Sequence, residues 1–147
     1  YAFVNKLWPN TPRLDKAQKY ISYAILIIAI VVLIFNYDKA YTALNCGYAI
    51  VLLSLQLFVV KGAYMGKFYR FYFWHLIPFF IVNGILTGTG IDQEVVWYNN
   101  TENLGIRMGT IPVEDSLYSL SLMLMNITIL EYLKSRFKKH NQIPIVA

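Results

Sequence analysis

Charged residues punctuate this chain at intervals that leave long apolar runs between them. Tyr20 to Tyr37 lies uncharged between Lys19 and Asp38, Ala40 to Val60 runs up to Lys61, and Phe71 to Ile91 runs from Arg70 to Asp92. Each run is long enough for a helix to cross ~30 Å of hydrocarbon at ~1.5 Å per residue. A fourth run, Ser116 to Leu130, reaches that length if its helix continues through Glu131 to Leu133. The pattern predicts an all-α integral membrane protein with four transmembrane helices. Short turns join them, except for one longer loop at about residues 87–115.

Composition sharpens this reading. Of 147 residues 57% are hydrophobic and only 14% charged, which excludes a water-soluble domain of this size. With four spans the two termini and the Lys61–Arg70 connection share one side. That side holds Lys6, Arg13, Lys16, Lys19, Lys61, Lys67, Arg70, Lys134, Arg136, Lys138 and Lys139, leaving only Lys39 and Arg107 opposite. The positive-inside rule then puts both termini in the cytoplasm and the 87–115 loop outside. The same sorting reads the tail from Lys134 to His140 as a juxtamembrane basic anchor against membrane lipid, and no nucleic-acid partner is expected. A single cysteine, Cys46, rules out a disulfide framework, and no His, Cys and carboxylate grouping has metal spacing, so no metal is expected. The chain begins at Tyr1 rather than Met, and residues upstream are expected.

The outer loop concentrates the candidate chemistry. Asp92, Glu94, Glu102, Glu114 and Asp115 are five of the eight acids, with Arg107 alone to compensate them. Pro112-Val-Glu-Asp115 reads as a helix start at the membrane surface, since proline suits a first turn and carboxylates favour a helix N-terminus. Two adjacent carboxylates beside apolar surface do not both ionise cheaply, so one is expected to hold a proton while the other stays charged: an acid and a base. Ordinary helix-start decoration is the plainer reading of the same residues. Asp115, Ser119 and Asn126 form a polar line along the fourth helix. Asn83 in the third run asks for a partner too, and an Asn83–Asn126 contact would hold two helices together. His75 is expected to hydrogen-bond a neighbour. Trp97 and Tyr98 suit an interfacial aromatic belt, and Asn99-Asn-Thr101 fits a glycosylation triplet.

Taken together, Phe80-Ile-Val-Asn-Gly-Ile-Leu-Thr-Gly88, Val96-Trp-Tyr-Asn99, Glu102-Asn-Leu-Gly-Ile-Arg107, Thr110-Ile-Pro-Val-Glu-Asp115 and Asn126-Ile-Thr-Ile-Leu-Glu131 form an ordered series. It resembles the second half of the cofactor-free membrane lycopene cyclases, in wording closest to fused bacterial members of the Bacteroidetes kind. That family is built from two related halves of about three spans, each with a Pro-x-Glu-Glu-like element at a helix start. Only Pro112-Val-Glu-Asp115 is present here, with Asp in place of a second Glu. The resemblance therefore implies that residues 1–147 form one transmembrane cyclase domain, the second half of a two-repeat protein. The homologous N-terminal half or a companion subunit would be its partner, and Tyr1-Ala-Phe-Val-Asn-Lys the tail of that half's last helix.

The activity implied is that of an isomerase, or intramolecular lyase, which closes the ψ ends of lycopene to the β-ionone rings of β-carotene with no net redox change and no cofactor. On this reading Glu114 and Asp115 serve as acid and counter-charge or base, with Glu102 and Asp92 as reserve carboxylates. Arg107 would pair with Glu102 or Asp115, or form a loop salt bridge. Trp97, Tyr98 and Tyr118 would stabilise a carbocation with their faces, and Asn83, Asn99 and Asn126 complete the candidate substrate site. The apolar carotenoid would enter from the bilayer between helices. Two other classes compete: a non-catalytic carotenoid-binding or assembly subunit, and a small transporter lined by Asn83 and Asn126. The transporter needs a continuous polar path, and the first two runs offer only Ser22, Thr42, Asn45, Ser54 and Gln56.

Overall fold

Thr11 and Pro12 open the first long helix: proline at the first helical position has a fixed φ and lacks an N–H that would go unpaired there. A computed structural model describes residues 1–140, with side chains through Lys138, so Lys139 and His140 of the basic tail lie outside the described side chains. After a short α1 (Ala2–Leu7), α2 spans Pro12–Phe35 and α3 spans Ala40–Ser54, running on through a π-helical segment, Leu55–Val60. Next come α4 (Met65–Leu86), a hairpin of β1 (Arg107–Met108) and β2 (Ile111–Pro112), and α5 (Val113–His140). The Asn36 amide donates to the Val32 carbonyl at the end of α2, and a tight turn to Lys39 reverses the chain.

Contacts fix the bundle as up-down-up-down. Thr42 meets Glu114 and Tyr48 meets Met125, so α3 and α5 run parallel. Tyr64 reaches Thr128 while His75 reaches Ser119, so α4 and α5 run antiparallel. α1 lies on α4, with Trp8 stacked on Trp74 at 5.6 Å and Arg70 donating to Asn5 at 2.8 Å. Lys134 sits 5.6 Å from the Tyr1 ring, which brings the chain start beside the far part of α5. Leu26, Leu53, Phe68 and Leu124, one from each long helix, meet at the centre.

The bundle is packed through small residues. Ser22, Ala29, Thr42, Cys46, Ala49 and Ser121 are buried, whereas Ile27, Ile28, Ile34, Phe73, Ile77 and Ile81 face outward. Small residues let helix backbones approach where lipid, not water, surrounds the outer face. Three helices, Pro12–Phe35, Ala40–Val60 and Val113–Lys138, are long and apolar enough to cross a membrane.

The third apolar run is bounded differently from expectation, and its helix is not among these three. Phe71–Ile91 is replaced by α4, which begins six residues earlier and takes in Lys67 and Arg70. It stops at Leu86 because Gly88 and Gly90 adopt positive φ, and the Leu86 carbonyl instead accepts the N–H groups of Val95 and Val96. The two-residue hairpin is likewise an addition to the all-α expectation, turned by Gly109 at φ 66°.

Candidate functional site

The loop between α4 and α5 folds back over the ends of the helices, and its side chains decide which groups are held there. Glu102 is the clearest case. Its carboxylate accepts the Ala40 N–H at 3.1 Å, and its carbonyl accepts those of Tyr41 and Thr42. It therefore caps the first turn of α3, supplying acceptors to donors that a helix start leaves unpaired. Of the two reserve carboxylates, Glu102 is engaged in this cap and Asp92 lies exposed on the loop surface.

Arg107 also departs from expectation. It donates to the Thr110 carbonyl and the Asn100 side chain, both at 2.7 Å, and lies 5.8 Å from the Tyr98 ring centroid. It pairs with neither Glu102 nor Asp115, because the hairpin turns its guanidinium back onto the loop. Asn99 is spent on an Asx turn, its side-chain oxygen accepting the N–H and hydroxyl of Thr101. Trp97 is 72% exposed.

Glu114 and Asp115 are both buried, each only 4% exposed, and they point apart. Consecutive helical residues are ~100° apart, so neighbours cannot share a face. Glu114 turns toward α2 and α3. Its Oε1 accepts the Thr42 hydroxyl at 2.8 Å and the Leu104 N–H at 2.7 Å, while Oε2 is buried without a partner. It lines an apolar cavity of about 300 Å³ with Ile25, Val32, Cys46, Tyr72 and Leu120. The Tyr72 hydroxyl donates to the Ser116 carbonyl at 2.6 Å, which fixes that ring in the wall.

Asp115 turns toward α4. Its two oxygens accept the hydroxyls of Tyr41 and, at 2.7 Å, Tyr98, whose rings meet edge to face at 5.5 Å. Burial first and this hydrogen bond second push the Tyr98 phenol up to about 12. Asp115 lines a second cavity, about 280 Å³, together with His75, Phe79, Asn83, Tyr98 and Tyr118. His75 does bond a neighbour, Ser119, at 3.1 Å.

Asn126 is not part of this cavity. Its amide donates to the Leu122 carbonyl of its own helix and is exposed, so no Asn83–Asn126 contact forms. The antiparallel register explains it: Asn83 lies near the start of α5, and Asn126 is eleven residues past Asp115, ~16 Å farther along the axis. A polar lining shared by the two asparagines is lost with it. Sequence reasoning missed Thr42, Tyr41, Tyr72 and the Leu104 amide as partners of the carboxylates. A buried acid needs donors, but nothing in the sequence says which helix supplies them.

No curated protein and no solved structure gives a match. The lycopene cyclase family model matches residues 38–133, which takes in α3, α4, the capping loop and both buried carboxylates, and the chain belongs to the lycopene cyclase family.

Proposed function

We propose that this chain provides a proton-transfer site for closing the ψ ends of lycopene to β-ionone rings, with Glu114 as the acid. The observation that carries the assignment is the buried, unpartnered Oε2 of Glu114 beside an otherwise apolar cavity. That oxygen meets no donor of the protein, so it is the carboxyl oxygen left free to pass a proton to a substrate in the cavity. An apolar chamber excludes the water that would quench a carbocation.

The steps follow from those parts. The Glu114 O–H delivers its proton to C2 of the terminal C1=C2 bond, leaving a tertiary cation at C1. The C5=C6 electron pair attacks C1, forming the C1–C6 bond and moving the charge to C5. Loss of the C6 proton restores C5=C6 and yields the β ring, an isomer of the starting end group. The Glu114 carboxylate left by the first step takes up that proton. The Tyr72 ring, fixed by the bond to the Ser116 carbonyl, offers a π face to the cation. Asp115, on another face and clamped by two phenols, holds the loop against the bundle rather than exchanging protons.

We read α4 as the third of four spans, with both termini in the cytoplasm and the capping loop outside, in a bacterial inner membrane. An apolar carotenoid then enters from the bilayer, and a homologous half supplies the companion site. The test is pigment chromatography of lycopene-accumulating bacterial cells expressing the chain with its companion half. Glu114→Gln should leave lycopene uncyclised, while Asp115→Asn keeps a reduced but measurable ring yield. Normal cyclisation by the Glu114 variant would defeat the assignment. Pigment retained without ring formation by the unaltered chain would favour a carotenoid-binding or assembly subunit instead.

A further inference from the structure

A third cavity, about 380 Å³, lies at the opposite end of the bundle from the two carboxylates, between α2 and the junction of α3 with α4. Its lining includes Gln18, Lys19, Ser22, Gln56 and Lys61. Lys19 and Lys61 are the charges that bound the first two apolar runs, so the cavity opens at the depth of lipid headgroups. Gln56 is 3% exposed, and its Nε2 has no partner; Gln18 Oε1 is likewise buried and unpaired. One is a donor and the other an acceptor, and buried amide atoms of this kind ordinarily find partners. Ser22 is already satisfied by Tyr69 at 2.6 Å and the Gln18 carbonyl at 2.8 Å.

The backbone here is built in an uncommon way. Gln56 belongs to the π-helical segment, and Lys61, which ends it, sits at φ 48° in the left-handed region. π segments recur at functional sites, and a left-handed lysine carries strain that its surroundings must hold. Gly62 follows, where an added Cβ would fall 2.5 Å from the Gln56 amide nitrogen.

We propose that this cavity binds the headgroup of an anionic glycerophospholipid. The two ammonium groups meet the phosphodiester, the Gln56 amide donates to a phosphate oxygen, and a headgroup hydroxyl donates to Gln18 Oε1. Tyr23 and Leu57, also in the lining, lead the acyl chains down toward the lipid-facing surface.

The purified full chain in detergent tests this by native mass spectrometry and thermal unfolding, with phosphatidylglycerol, phosphatidylcholine or inorganic phosphate added. Phosphatidylglycerol should be retained and raise the unfolding temperature, with no comparable effect from phosphatidylcholine. The double variant Lys19→Gln, Lys61→Gly should lose at least tenfold in phosphatidylglycerol affinity. Because glycine accepts the left-handed conformation, its lipid-free unfolding temperature should not fall, which separates lost binding from lost folding. Equal retention of phosphatidylglycerol by the double variant would overturn the proposal. So would equal retention of phosphatidylcholine, or stabilisation by inorganic phosphate matching that of the lipid.

Discussion

At the scale of single residues, the two acids at the start of α5 have different duties because they have different donors. Glu114 shares one oxygen between Thr42 and the Leu104 amide. Thr42→Val keeps the shape but removes one donor from a buried carboxyl, at a cost of about 1–3 kcal/mol. Thermal or denaturant unfolding in detergent should show that loss, along with a reduced ring yield. A variant as stable as the parent would mean that the bond is not formed. Asp115 is the joint acceptor for Tyr41 and Tyr98. The Tyr98 phenol is raised to about 12, above its unfolded value of 10.0, by burial and by that carboxylate. Its contribution to stability is therefore complete below about pH 10 and lost as pH rises through about 12. An ultraviolet difference titration of the parent against Tyr98→Phe should show one late-titrating phenol missing from the variant. A missing phenol that titrates near 10 would contradict the Asp115 contact.

Element by element, the helices depend on what caps and crosses them. α3 starts on Glu102, a residue far along the chain in the outer loop. Glu102→Ala should destabilise the protein by about 1 kcal/mol and speed hydrogen exchange in the first turn of α3, while leaving cyclisation detectable. Abolished cyclisation with an intact fold would return Glu102 to the list of reacting groups. α4 approaches the start of α2 at Gly66, where a Cβ would come within 2.9 Å of the Asp15 backbone nitrogen. Gly66→Ala should push these helices apart and lower the unfolding temperature, and an unchanged temperature would show that the approach is looser than described. The element boundaries were partly legible in the sequence. Ala40–Val60 appears as read, because Lys39 and Lys61 bracket it. The third run was misplaced by charge counting, since Lys67 and Arg70 sit inside the first turns of α4 while the glycines after Leu86 end it. Charge marks where lipid is costly, whereas helix ends follow φ and hydrogen-bond partners.

Across the whole molecule, the alternating helices place both described ends of the bundle on one side and the acid-bearing loop on the other. Single cysteines introduced at exposed positions after replacement of Cys46 provide the check. Val95→Cys in the loop should react with a membrane-impermeant thiol reagent added to intact bacteria, and Lys134→Cys should not; the reverse pattern would invert the orientation. Hydropathy and charge order by themselves determined that this is a helical membrane protein. The ordered motifs pointed to the family, and the Pro112–Asp115 element drew attention to the two acids. Those features are local, written in runs of neighbouring residues and in the physics of lipid against water. Only the tertiary structure decided that Glu114 and Asp115 open on separate cavities, that Glu102 is a cap and Arg107 a loop brace, and that Asn83 and Asn126 lie at different depths. Each of those outcomes depends on helix phase and on which partner a neighbouring helix brings. A carboxylate's role is set by its donors, and donors tens of residues away are chosen by packing.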